Sequence, residues 1–123
     1  MGANRVAVIG VGQTKYASVR GDVSLPGLLR EAAYRALADA HLTMDDIDAV
    51  VVGKAPDFFE GIMMPEPYLA EALGAVGKPL FRVHTAGSVG GSTAIVAASH
   101  VEAGVHERVL TIGWQQQSVS EAM

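Results

Sequence analysis

Apolar positions along the 123-residue chain fall into short β-branched runs that alternate with longer stretches of helical spacing. "RVAVIGVG" (5–12) is such a run closed by glycines, and it predicts a first strand buried on both faces of a parallel sheet. "SLPGLLREAAYRALADAH" (24–41) opens with Ser24 as an N-cap and an early proline. It then places Leu28, Leu29, Ala32, Ala33, Ala36, Leu37 and Ala40 on one helical face, which predicts a helix packed on the sheet. In "LTMDDIDAVVVGKAP", Thr43 and Asp46 have capping-box spacing for a single turn, and residues 49–52 form a second strand ending at Gly53. "PEPYLAEALGAVGK" predicts a shorter helix, "PLFRVHTAG" a third strand, "SVGGSTAIVAASHVEAG" a third helix stopped at Gly104, and "ERVLTIGW" a fourth strand. This alternation is the pattern of an α/β fold with a mainly parallel sheet, and the length suits one domain over residues 1–123.

Composition narrows the function classes. Half of the residues are apolar, enough for a core, and the net charge of -4 comes with no basic run, which argues against a nucleic-acid surface. There is no cysteine, so this stretch holds no disulfide, thiolate metal site or cysteine nucleophile. "MGANRVAVIG" lacks the long apolar core of a signal peptide and nothing is long enough to span a membrane, so the expected location is cytoplasmic. No metal site is expected, because His41, His84, His100 and His106 have no spacing that gathers three ligands.

Two motifs promise more than they carry. "GVGQTK" opens like a dinucleotide fingerprint at Gly10 and Gly12. Lys15 stands where the third glycine belongs, however, and the second strand ends in "VVVG" without an acidic residue for a ribose. "RGD" (20–22) reads as a solvated loop. The irregular stretch "GKAPDFFEGIMM" (53–64) carries Phe58, Phe59, Ile62, Met63 and Met64 where a polar connection is expected. Such a loop either caps the local core or is covered by a ligand tail or another subunit.

"RVHTAGSVGGSTAIVAASHV" (82–101) is the candidate site. No Asp, Glu, Lys or Arg occurs from Val83 through Val101, and small residues fill the helix, which predicts a helix buried on every side and more buried than the 25–41 helix. The corner "HTAGSVGG" falls at the C-terminal edge of a parallel sheet, where α/β proteins place their chemistry. Backbone N–H groups at such a helix start can stabilise a carbonyl oxygen that develops negative charge.

Taken in order, "VAVIGVGQTKY", "LLREAAYRALADAHLTMDDIDAVVVG", "YLAEALGAVGKPLFRVHTAGSVGGSTAIVAASHVEAG" and "ERVLTIGWQQQS" resemble the N-terminal part of the thiolase superfamily. The resemblance is nearest to the sterol-carrier-protein and lipid-transfer-protein thiolases, and "EAA..AL.DA.LT..DID.VVVG" carries most of it. It implies a thiolase-like sheet with helices on both faces, of which this chain would be an incomplete N-terminal half. It also implies an acyl-CoA substrate, with coenzyme A as part of the substrate and no permanently bound cofactor. The implied assembly is a homodimer with its contact near the third strand and the Phe58 to Met64 loop, or a complex with a chain carrying the C-terminal half.

In that family the corner reads approximately Val-x-x-x-Cys-x-Ser-Gly, and the cysteine takes the acyl group. Ungapped alignment of "VHTAGSVG" sets Gly87 at the cysteine, Val89 at the family serine and Gly90 at the family glycine. Glycine cannot form a thioester. Ser88 is the neighbouring candidate nucleophile and His84 its base candidate, while Gly87, Gly90, Gly91, Met63 and Met64 are candidate substrate contacts. Some superfamily members without the cysteine resemble retro-aldolases of sterol side-chain CoA thioesters that work with an OB-fold partner protein. The expected reaction is therefore non-covalent carbon–carbon cleavage rather than acyl transfer. A non-catalytic acyl-CoA-binding or assembly subunit is the alternative.

Overall fold

A computed structural model describes residues 5–17, 20–54 and 66–114. Three parallel strands, β1 (Ala49–Gly53), β2 (Leu80–Val83) and β3 (Val109–Gly113), form one sheet in the order β2-β1-β3. Central β1 is buried along its whole length, which is why its sequence is apolar without alternation. The helices are α1 (Leu25–Asp39), α2 (Glu66–Leu73) and α3 (Val89–Glu102). Leu29, Ala33 and Leu37 of α1 and Leu69 and Leu73 of α2 share one core with Val50, Val52, Leu110 and Ile112. The other side of β1 meets α3, whose Thr93 and Val89 lie against Gly53.

Several local expectations are met where sequence and geometry coincide. Ser24 Oγ accepts the Gly27 N–H at 3.2 Å at the start of α1. The Asp46 carboxylate accepts the Thr43 N–H at 2.9 Å, and a single 3-10 turn, Met44–Asp46, leads into β1. Just before β1, Asp48 Oδ2 accepts the N–H groups of Glu107 and Arg108, both at 2.9 Å, and so sets where β3 begins. These two bonds hold the Asp48 carboxyl below the usual carboxylate range.

Residues 5–12 depart from expectation. They form no strand, and the described residues contain three strands rather than four. The segment instead lies along α1: Val11 N–H donates to Asp39 Oδ2 at 2.9 Å, Arg35 Nη1 donates to Gln13 O at 2.8 Å, and Lys15 N–H donates to Glu31 Oε2 at 2.8 Å. The spacing explains the match. Two residues of extended chain cover about 6.8 Å and four residues of helix about 6 Å, so every second residue meets every fourth. Gly10 and Gly12 permit the approach, since a Cβ at Gly10 would lie 2.6 Å from Ala36 O, and one at Gly12 would overlap Ala36 N. Side chains of α1 thus take backbone groups that a sheet neighbour would otherwise take, and Val8, Ile9 and Val11 face outward.

The RGD loop is tied inward: the Arg20 guanidinium bonds both Asp22 and Glu31. Those bonds draw the Asp22 and Glu31 carboxyls down to about 2.

Helix α3 is also less enclosed than expected. Val89, Thr93 and Ala97 are buried against the sheet, whereas Gly90, Gly91, Ala94, Ile95 and Ser99 are exposed. The lack of charge makes burial inexpensive, but burial itself needs a second layer, and among the described residues only the sheet side supplies one. No described helix is long and apolar enough to cross a membrane. Met63, Met64 and the rest of the 55–65 stretch lie outside the described residues.

Candidate functional site

At the C-terminal edge of the sheet the chain leaves β2 at Val83 and passes through His84 and Thr85. It makes a 3-10 turn, Ala86–Ser88, and enters α3 at Val89. The reversal needs a left-handed residue, and Ala86 takes that conformation with φ 52°. For a residue with a Cβ this costs about 1–2 kcal/mol, so the surrounding structure holds the turn in place. Ser88 N–H donates to Thr85 O at 3.3 Å, and Val89 N–H donates to Ala86 O. The N–H groups of Ser88 and Val89 are therefore used within the turn itself.

Gly53 sets how closely α3 approaches. A Cβ there would overlap Thr93 Oγ1 and lie 3.0 Å from Thr93 Cβ and 3.1 Å from Val89 Cγ2. Thr93 is buried, and its hydroxyl donates to Val89 O at 2.7 Å. Gly87, Gly90 and Gly91 behave differently: a Cβ on any of them would meet nothing within 4 Å. They form an open shelf rather than a close backbone contact.

Three hydroxyls stand at this corner. Ser88 Oγ donates toward Thr85 O at 3.0 Å and Thr85 Oγ1 at 2.9 Å, and Thr85 Oγ1 lies 2.7 Å from Ser92 Oγ. Ser88, Gly87, Gly90 and Gly91 are thus brought to one place, as the spacing suggested. His84 is exposed and is not hydrogen-bonded to Ser88, whose proton points to Thr85. Thr85 and Ser92 escaped sequence reading, although their three- and four-residue distances from Ser88 match one helical turn. Lys54 escaped it too. It is 1% exposed, follows β1 at the same edge, and sets its ammonium 5.8 Å from the centroid of the Trp114 ring.

Elsewhere, a cavity of about 390 Å³ lined by Arg5, Val101, Gly104, His106 and Glu107 lies at the opposite end of α3. Among the described residues, no group of three or more His, Cys, Asp or Glu side chains is placed to hold a metal ion.

No family model matches the chain. Human sterol carrier protein 2 is 31% identical over 116 residues, which is 93% of this chain and 21% of that protein. β-Ketoacyl-[acyl-carrier-protein] synthase III of Helicobacter pylori J99 is 39% identical over 90 residues, 71% of this chain and 26% of that enzyme. The structure of 3-oxoacyl-[acyl-carrier-protein] synthase III from Aquifex aeolicus VF5 superposes with a TM-score of 0.70 at 22% identity, over 81% of this chain and 32% of that one. The chain therefore spans about a fifth of the length of the sterol carrier protein relatives. Relatives of both kinds cover most of this chain, and the chain belongs to the thiolase superfamily.

Proposed function

We propose that this chain supplies the α3 corner of a protein that acts on acyl-CoA thioesters in lipid or sterol side-chain metabolism, by retro-aldol cleavage without a covalent adduct on this segment. One observation carries the reading. A thiolase-superfamily corner here has no cysteine, and its one adjacent hydroxyl, Ser88, directs its proton to Thr85 rather than to a histidine.

The chemistry asks for less than acyl transfer does. A base takes the proton of the substrate's β-hydroxyl, the Cα–Cβ bond breaks, and a ketone or aldehyde leaves from Cβ. The electron pair passes into a thioester enolate, which is then protonated at Cα. Hydrogen-bond donors at the thioester oxygen are the contribution of this corner, on the open side above Gly87, Gly90 and Gly91. The base comes from outside this segment. Coenzyme A enters as part of the substrate. A homodimer and an OB-fold partner protein belong to the same proposal, and light scattering and co-purification test them.

The deciding experiment incubates the protein with a β-hydroxyacyl-CoA and follows release of ketone or aldehyde, comparing Ser88→Ala with the parent. Near-normal release in the variant supports the non-covalent route. An acyl group trapped on Ser88 overturns it, and binding of the thioester without cleavage or acylation favours the non-catalytic binding subunit.

A further inference from the structure

Strand β3 is paired on one side only. Arg108 O accepts the Asp48 N–H and Trp114 N–H donates to Gly53 O, so residues 108, 110, 112 and 114 turn their backbone groups to β1. Val109, Thr111 and Gly113 turn theirs the other way, and among the described residues nothing pairs with that edge. The 5–12 segment has the complementary deficit. Val11, Gln13 and Lys15 turn their backbone groups to side chains of α1. Those of Val8, Gly10 and Gly12 are bonded to no described residue, and Val8, Ile9 and Val11 are 83%, 59% and 68% exposed.

Position and direction match. Arg5 shares the cavity of about 390 Å³ with Gly104, His106 and Glu107, just before β3 begins at Val109. Helix α1 ends at the same end of the sheet, where a short turn leads into β1. The segment passes Asp39 before Glu31, so it climbs α1 from C-terminus to N-terminus and runs in the sense of the strands. Handedness agrees as well. Helices α1 and α2 share one core face, and the β1–α2–β2 connection steps away from β3. A right-handed connection through α1 on that face must step the same way, and so must start from the β3 side of β1. Residues 13–24 can span up to about 40 Å, enough to join the end of such a strand to α1.

We infer that residues 5–12 have a second seat, as a parallel strand on the open edge of β3, and that the side chains of α1 are the latch that holds the segment off it. The move exchanges side-chain partners for a backbone ladder and covers apolar surface of Val8, Ile9 and Val11. The tip of β3 lies beside the α3 corner, since a Cβ at Gly113 would stand 3.9 Å from Gly90 Cα. Closing this edge therefore stiffens the strand that backs the candidate site.

Amide hydrogen exchange followed by NMR, on the parent and on Arg35→Ala/Asp39→Ala, tests it. The double variant removes two bonds to charged groups, which moves the balance between the seats by about a hundredfold or more. The Thr111 and Gly113 amides are expected to exchange at least about tenfold more slowly than in the parent, whereas those of Leu110 and Ile112, which face β1, keep their rates. Each single variant shifts Thr111 and Gly113 the same way by a smaller factor, and the slowing is the same at any protein concentration. Thr111 and Gly113 rates that stay unchanged or rise mean that the freed segment finds no seat, and overturn the inference. Slowing that grows with protein concentration overturns it too, because it assigns the edge to a second copy of the chain.

Discussion

Replacing Gly53 by alanine tests the contact that seats α3 on the sheet. The new methyl would overlap Thr93 Oγ1 and stand 3.0 Å from Thr93 Cβ and 3.1 Å from Val89 Cγ2, all on one turn of the helix. Thr93 is 1% exposed and its hydroxyl is bonded to Val89 O, so the oxygen cannot swing into solvent without losing that bond. The remaining response is for α3 to lift from the tip of β1. Overpacking of this kind costs about 1–3 kcal/mol, sometimes more. Alanine returns roughly 0.4–1 kcal/mol by restricting the unfolded chain. Overpacking less that return leaves a net expected loss of about 1–2 kcal/mol. In urea, with a slope of about 1.5 kcal/mol per molar, the midpoint falls by roughly 0.7–1.3 M. Trp114 is 8% exposed and the only tryptophan, so its emission reports the transition. Thr93→Ala removes the overlapping oxygen, and the double variant should recover at least about 1 kcal/mol relative to additivity. A Gly53→Ala loss under about 0.5 kcal/mol, or two losses that simply add, would refute the account of how α3 is seated.

Asp48→Asn should destabilise the protein by about 1–2 kcal/mol at neutral pH in thermal melts, because a charged acceptor of two backbone donors becomes a neutral one. The sign with pH follows from its depressed carboxyl: its stabilisation is complete above the unfolded-state value near 3.9 and disappears as pH falls through the folded value, so the parent-to-variant gap should close in acid. The Arg20 clamp behaves likewise. Asp22 and Glu31 have folded values of about 2, below the ordinary 3.8 and 4.5 of these carboxyls, so the clamp is intact above pH 4.5 and weakens toward pH 2. Glu31→Gln should flatten that part of an acid titration followed by circular dichroism. Gly12→Ala should push the 5–17 segment off α1 and speed tryptic cleavage at Lys15, and an unchanged digestion rate would count against the glycine contact.

The elements that sequence alone determined are those whose causes lie within a few residues. Ser24 caps α1, the Leu29–Ala33–Leu37 stripe buries it, Asp46 closes back on Thr43, and the unalternated "AVVVG" becomes a strand covered on both faces. Periodicity and caps are local, so they survive without knowledge of the fold. The corner was legible for a similar reason, since an apolar strand, glycines and a charge-free helix lie consecutively in "RVHTAGSVGGSTAIVAASHV". What only the tertiary structure decided is the choice of partner. "RVAVIGVG" specifies extended chain, but an extended chain can place its backbone groups against a strand or against the carboxylates and guanidinium of a helix, and α1 presents Glu31, Arg35 and Asp39 at the matching interval. The link from Thr85 to Ser92 depends on the left-handed turn at Ala86, a residue with little intrinsic preference for it. The seat of α3 depends on Gly53 meeting Thr93, 40 residues later in the chain, a contact that neither local sequence contains.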